Sequence, residues 1–566
     1  MFGLHPLDVC VVVLYLLGMA AIGLWTRKCV RTMADFFMPR TFGKLMLASA
    51  SFATGTHPDQ AVGVASKTFS NGLSGIWYEW LWLFCTPFYW LIAPLMRRFR
   101  AITMSDVFTL RYDQSVGMLF AVVGALNLTF VIGIMLKGSG AIVSACLGQA
   151  VSPDMVIFLM AGVFVLYGMA GGLTAVIITD FVQGILTVVF SFVLLPSVMK
   201  AVGGMAGLHQ AIKDPGMFSL VAPAEIGVFY IAVIALNGLI GIVTQPHIMG
   251  NCAAGRTEMD GRVGFTAGNF AKRICTMAWC LTGLAAMAYL GKGTKPDLAF
   301  GVMAREFLPK ILPGLLGVFL ASVLASLMSS CDSFMVSSSA LFTANLYRPL
   351  VRGKSEGHYV TVGRLASLVV VVGGVFAAYR LESVVQGLET FWKISPMMGI
   401  AFWLGFFWRR TTVAGAWASV LAGFGTWLLT TQAFFIKALA ALPFADTLRL
   451  TMTKGGALEI YLPWQMILYL VAGTATGIVV SLLSRSVSED KLERFYALAR
   501  TPVRAGEAAP EVACALPDHV EAAPRRNLFR SASLEIPTPT KTSVVGFIVC
   551  WVAVAVLIYG FVALTR

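Results

Sequence analysis

Runs of about twenty apolar residues follow one another through this 566-residue chain almost without interruption, and that pattern limits its fold more than any other feature. Twenty such residues is the length a helix needs to cross a bilayer. Lipid admits only helices and closed barrels as spanning structures, because a backbone polar group has no water to turn to there. The runs fall near 6–26, 45–69, 74–96, 115–145, 154–172, 174–199, 224–247, 268–291, 312–346, 360–380, 388–408, 413–436, 461–484 and 543–564. They predict an all-α integral membrane protein of about fourteen transmembrane helices. Composition agrees: 58% of residues are hydrophobic and 12% charged, against roughly 25% charged in soluble domains.

The formal charge is +14, a value that also suits nucleic-acid binding. Here the basic residues lie between apolar runs and not on one face, so nucleic acid is excluded as a partner. Placing the N-terminus outside puts several basic groups in cytoplasmic loops: Arg97, Arg98 and Arg100; Arg256, Arg262, Lys272 and Arg273; Arg409 and Arg410. This is the expected asymmetry for a multi-pass protein of the plasma (cytoplasmic) membrane. The ten cysteines are scattered and form no CxxC pair, so neither a disulfide framework nor a zinc site is predicted. The first apolar run lacks a basic leader and a small-residue cleavage site, and reads as a retained helix. The segment 485–541 is rich in Ala, Pro and Glu and predicts a mostly disordered cytoplasmic linker before the last helix.

Breaks and ionisable groups inside apolar runs mark function, because they carry a cost unless they line a cavity. In SFATGTHPDQAVGV (51–64), Gly55 and Pro58 interrupt a helix that also carries Thr54, Thr56, His57, Asp59 and Gln60. A discontinuous helix would free carbonyls near Ala53 and Thr56 for a cation and turn a half-helix N-terminus toward a substrate; a kinked structural helix is the competing reading. Ser326, Ser329, Ser330, Ser333 and Ser337 share one helical face. Their hydroxyls are hard ligands of the kind small cations require, and equally form the small-residue seam common between membrane helices. Asp332 lies beside that stripe. Asp180 lies within an apolar run, and Lys137 is the basic residue well inside another. Glu79 sits among aromatics in GIWYEWLWLF, suited to a substrate hydroxyl or amine.

Four segments resemble the sodium:solute symporter family, which includes sodium/glucose-, proline- and sialic acid-type cotransporters. They are GGLTAVIITDFVQG (171–184), LASVLASLMSSCDSFMVSSSALFTANLYRP (320–349), SPMMGIAFWLGFFWRRTTVAGA (395–416) and KLERFYALARTPV (491–503). The resemblance implies a LeuT-type core of two inverted five-helix repeats, 45–199 and 224–408. An extra helix and loop (1–44) precede them; two helices (413–484), the linker (485–541) and a last helix (542–566) follow. It implies sodium as the coupling ion, held by carbonyls of Ala53 and Thr56 and hydroxyls of Ser326, Ser329 and Ser330. Asp180, Asp332 and Ser333 stand where the family places a second sodium or an exit path. By comparison with the sugar-carrying branch, Gln60, Tyr78, Glu79 and Lys272 match contact or gate positions, while Gly55, Trp82 and Leu388 replace polar ones. Asp59 and Lys137 complete the candidate substrate contacts.

The expected activity is sodium-driven symport of a small organic solute by alternating access, with no catalysis. No nucleophile–base pair, metal cluster or phosphate loop is present. Two alternatives remain at this stage: a proton-coupled carrier using Asp180, Asp332 or Asp59, and a transporter-like membrane sensor.

Overall fold

A computed structural model describes residues 4–26, 42–168, 172–222, 225–291, 293–454, 456–504, 507, 512–529, 531 and 533–566. Among these the elements are helices, apart from one hairpin in which Thr451–Lys454 pairs antiparallel with Ala457–Ile460. The main helices are α1 (Pro6–Thr26), α2 (Lys44–Gly55), α3 (Pro58–Asn71), α4 (Thr86–Arg98), α5 (Gln114–Cys146), α6 (Pro153–Gly168) and α7 (Gly172–Phe192). They continue with α8 (Val228–Gly241), α9 (Pro246–Ala253), α10 (Glu258–Leu290), α11 (Leu315–Ala340), α12 (Glu356–Arg380), α13 (Val384–Phe407) and α14 (Val413–Leu429). The last three are α15 (Leu462–Leu483), α16 (Glu489–Arg500) and α17 (Lys541–Thr565).

Among the described residues, seven helices are long and apolar enough to cross a membrane, or nine if each of two sharply bent pairs is one span. Expected spans drop out of that number where the chain breaks inside them. The run 45–69 divides into α2 and α3, and 74–96 becomes short helical turns before α4. The end of the expected run 154–172 lies partly outside the described residues.

The packing is that of a protein dissolved in lipid. Leu14, Val369, Leu482 and Val556 lie exposed on the outer surface, where a bilayer and not water would cover them. The interior is polar by comparison, with Asp59, Asp180, Asp332 and Arg273 all buried. Helix α10 runs against α2 at very close range. A Cβ at Gly264 would stand 2.5 Å from Leu47 Cβ, and one at Gly268 2.5 Å from the Ala48 carbonyl oxygen. Small residues allow that approach, as in other membrane helix pairs.

The expected disorder of 485–541 is corrected where the segment is described. Helix α16 is amphipathic and buries Leu492, Phe495, Tyr496 and Leu498. Ion pairs carry the segment across the helix ends. Arg409, just after α13, bonds Glu489, Glu493 (3.0 Å) and Glu535 (2.6 Å). Arg100, just after α4, holds Glu507 through two bonds of 2.6 and 2.9 Å. Arg98 holds Glu258 of α10, whose carboxylate also accepts from the Val503 amide.

Burial works against ionising Glu493 and Glu507, but bonds from Arg409, Arg500 and Arg100 outweigh it and hold both carboxyls below their ordinary value of 4.5. A lowered native value stabilises the attached segment above the unfolded value, and that contribution is lost as pH falls through the native one. Hydrogen exchange in α16 is therefore expected to rise as pH drops below about 4.5, after correction for intrinsic rates. Unchanged protection would mean that apolar packing alone holds the segment.

Candidate functional site

The interrupted helix is real and its cause is local. Thr56 and His57 take extended backbone angles (φ −121° and −131°), and Pro58 opens α3 as its first residue. Proline has no N–H to continue a helical ladder and fixes an angle that suits a fresh start. The Gln60 side chain accepts from the His57 amide at 3.4 Å and steadies the new N-terminus. The last carbonyls of α2 lose their regular helical donors, and Ala53 keeps one backbone bond, from the Thr56 amide at 3.3 Å.

The serine face of α11 meets those carbonyls. Ser326 Oγ donates to the Thr56 carbonyl at 2.7 Å, and Ser330 Oγ to the Ala53 carbonyl at 3.3 Å. Ser329, next to Ser330, is fully buried as well. The structure thus brings Ala53, Thr56, Ser326 and Ser330 together in direct contact, with Ser329 on the same helix face.

A second polar cluster adjoins the first. Thr54 Oγ1 donates to Asp180 Oδ2 of α7 at 3.1 Å and lies 3.0 Å from Ser333 Oγ. Asp332 is 1% exposed, and neither of its carboxylate oxygens has a hydrogen-bond partner among the described residues. Gln183, one turn beyond Asp180, donates to the Tyr15 hydroxyl of α1 at 3.3 Å.

On the other side of the break lies a cleft with both polar and apolar walls. Asp59, Gln60, Glu79 and Lys272 line it as expected. Two expected contacts do not. Tyr78 turns away to donate to Glu389 at 2.6 Å, where Lys454 also bonds. Lys137 lies half-buried on α5, outside the lining. Its neighbour Gly138 meets the break instead: a Cβ there would stand 2.4 Å from Asp59 Cα. Gly138→Val is expected to force α5 off α3 and cost 1–3 kcal/mol or more, read as a fall in melting temperature of purified protein. A surface glycine with open space around it, such as Gly357, provides the control.

The cleft has lining groups that the sequence did not reveal: Gln245, His247, Asn251, Asn269, Arg273 and Phe334. Three of them sit at a second break, where α8 ends in a tight turn and α9 restarts at Pro246 with a 60° bend. The signal was there to be seen. Thr244-Gln245-Pro246 repeats the Thr56-His57-Pro58 pattern of the first break. His247 stacks on Phe334 at 4.5 Å, and His57 meets the same ring edge-on at 6.3 Å.

Lys272 and Arg273 are corrected from cytoplasmic helix-end positions to buried ones, because α10 begins at Glu258 and carries them to mid-helix. Glu79 Oε1 accepts from both, at 2.7 Å from Lys272 Nζ and 2.6 Å from Arg273. Asp59 Oδ1 is bonded to His57 Nδ1.

Comparison with known proteins gives the family and the fold. The chain is 29% identical over 437 residues to an osmoregulated proline transporter of Bacillus subtilis, covering 74% of this chain and 87% of that protein. It is 25% identical over 506 residues to a sodium/glucose cotransporter of Vibrio parahaemolyticus, covering 80% and 89%. A sodium/pantothenate symporter of Haemophilus influenzae is 24% identical, covering 71% and 86%. In three dimensions the chain is similar to a Na+-coupled sialic acid symporter in a substrate-bound outward-open state, with a TM-score of 0.67, 17% identity and coverage of 86% and 99%. That likeness establishes the all-helical, LeuT-type fold. The sequence pattern of the sodium:solute symporter family matches residues 36–423. The chain belongs to the sodium:solute symporter family, multi-pass membrane carriers for which sodium is the coupling ion.

Proposed function

We propose that this carrier binds its driving sodium between the break of α2–α3 and the serine face of α11, and its solute in the adjoining cleft. The observation that carries this reading is the pair of bonds from Ser326 and Ser330 to the Thr56 and Ala53 carbonyls. Two hydroxyls and two carbonyls held 2.7–3.3 Å apart form a compact set of hard oxygens, the ligand type that unsolvated alkali and alkaline-earth cations require. Asp180, Asp332 and Ser333 are assigned to a second sodium or to the path by which the first leaves.

The repeats are taken as 45–199 and 224–408, within a chain of about fourteen spans whose N-terminus lies outside the plasma membrane. Each repeat then contains one broken helix near its start, α2–α3 in the first and α8–α9 in the second. Both breaks border the cleft, as expected for inverted-repeat carriers. The extra helix and loop 1–44, the pair 413–484, the segment 485–541 and the helix 542–566 flank that core. Sodium binding favours one orientation of the repeats, solute binding favours the same one, and rocking exposes both to the other side. Such coupling is reciprocal, so sodium tightens solute binding and solute tightens sodium binding by one factor.

The test is a thermal-shift and uptake assay on purified protein in proteoliposomes, with solutes presented in sodium or in potassium chloride. Stabilisation and uptake confined to sodium support the assignment. Uptake that persists without sodium and collapses with the pH gradient would refute it.

A further inference from the structure

We propose that the hairpin 526–538 is a lipid-binding element: its apolar turn enters the bilayer interface beside the end of α13, and its basic flank holds anionic phospholipid headgroups. It lies apart from both the cation site and the solute cleft.

Backbone bonds fold this stretch onto itself. The Leu528 amide donates to the Ile536 carbonyl and the Thr538 amide to the Arg526 carbonyl, both at 2.9 Å. The turn between them is fastened to the end of α13. There the Arg409 amide donates to the Ser533 carbonyl, and the Glu535 amide to the Phe407 carbonyl, both at 2.8 Å. Arg410 donates to the Ser484 carbonyl at 2.9 Å, so the spanning helix α15 ends at the same level. Beyond the hairpin the chain enters the spanning helix α17 at Lys541. The 25 residues of α17 extend about 37 Å. That exceeds the roughly 30 Å of hydrocarbon in a bilayer, so an end of the helix stands among the headgroups. The hairpin is thus tied, at its turn and at its exit, to the edge of the membrane.

Its free surface has the chemistry of that edge. Leu528 and Phe529 are 55% and 60% exposed, side by side in the turn. They continue the lipid-facing surface of Phe407, to which Glu535 is bonded. Moving them into the boundary of headgroups and acyl chains takes their apolar area out of water. Charge then selects the headgroup. Between 525 and 541 the sequence carries Arg525, Arg526, Arg530 and Lys541 against one acid, Glu535. That acid is bonded to Arg525 at 3.0 Å and to Arg409 at 2.6 Å. Arg526 and Lys541 are exposed, and neither has an ion-pair partner among the described residues. Phosphate oxygens are strong acceptors for such groups, and a basic stretch beside a spanning helix is drawn to an anionic leaflet. The long stems of Arg and Lys let the charge reach a headgroup while apolar neighbours sit deeper.

The experiment follows tryptic cleavage of the purified full-length chain in nanodiscs of phosphatidylcholine, alone or mixed with phosphatidylglycerol. Cleavage within 525–530 is measured against cleavage after Arg352 and Lys354, exposed residues of the loop before α12. Phosphatidylglycerol is expected to slow hairpin cleavage about fivefold for each basic side chain that holds a headgroup, relative to that reference. High salt should abolish the difference. Arg526→Gln/Lys541→Gln should lose most of it while leaving Arg525 for the protease. Leu528→Ser/Phe529→Ser should speed cleavage in both lipids. Equal relative rates in the two lipids overturn the proposal, and the parent protein alone decides this even if a variant fails to fold. Protection that survives high salt and both double variants also overturns it, because the hairpin is then held by protein and not by lipid.

Discussion

Glu79→Gln is expected to destabilise the protein by about 3–5 kcal/mol, the usual cost of breaking a buried ion pair from one side. The substitution changes almost no volume, so packing is not what is lost. What is lost is, among the described residues, the only carboxylate bonded to Lys272 and Arg273, which then face each other as like charges in a nearly dry interior. Solvent screening offers little relief at exposures of 7% and 1%. The backbone contacts here, Arg273 to the Glu79 carbonyl at 3.2 Å and Trp80 Nε1 to the Arg273 carbonyl at 3.1 Å, cannot supply the missing negative charge. Melting temperature in detergent measures the effect. The double variant Glu79→Gln/Lys272→Met removes one cation along with the anion and should recover much of the loss, a non-additivity characteristic of groups in contact. If the single variant melts within a degree or two of the parent, the trio is not a buried charge network.

The sequence disclosed some of these features and concealed others for physical reasons. The first break was legible because Gly55 and Pro58 flank polar side chains inside an apolar run, and few structures other than an interrupted helix fit that combination. Ser326, Ser329 and Ser330 were legible as one face because helical spacing is fixed. That they face the freed carbonyls of α2 is a tertiary fact, suggested only by family resemblance. The second break carried a fainter signal. Pro246 is its sole strong marker, and Ile242, Val243 and Ile248 carry the apolar run across it. Arg273 was read as a charge at the cytoplasmic helix end because the apolar run starts near residue 268, although the helix itself begins ten residues earlier at Glu258. In 485–541 the composition describes a tether, while the order comes from Arg100 and Arg409, distant residues that no local pattern connects to Glu507 or Glu535.

Ser326→Ala and Ser330→Ala are expected to remove most of the sodium response while leaving a folded protein. Each change deletes one hydroxyl that bonds a carbonyl of the break. As a hydrogen bond alone it is worth about 0.5–1.5 kcal/mol, an amount the fold can absorb. As an ion ligand it should be worth at least the roughly 10–100-fold in affinity that even outer-shell partners of a bound metal contribute. The two roles separate experimentally. A purely structural hydroxyl lowers the melting temperature equally in sodium and in potassium, whereas an ion ligand erases the difference between the two salts. Ser330→Thr keeps the oxygen on the same helix face and should retain part of the response; Ser330→Ala should not. Solute affinity must fall in step with sodium affinity, because a coupling free energy between two sites acts in both directions. A Ser326→Ala/Ser330→Ala protein that still binds solute more tightly in sodium than in potassium would place the ion elsewhere, with the cluster of Asp180, Asp332 and Ser333 next to be tested.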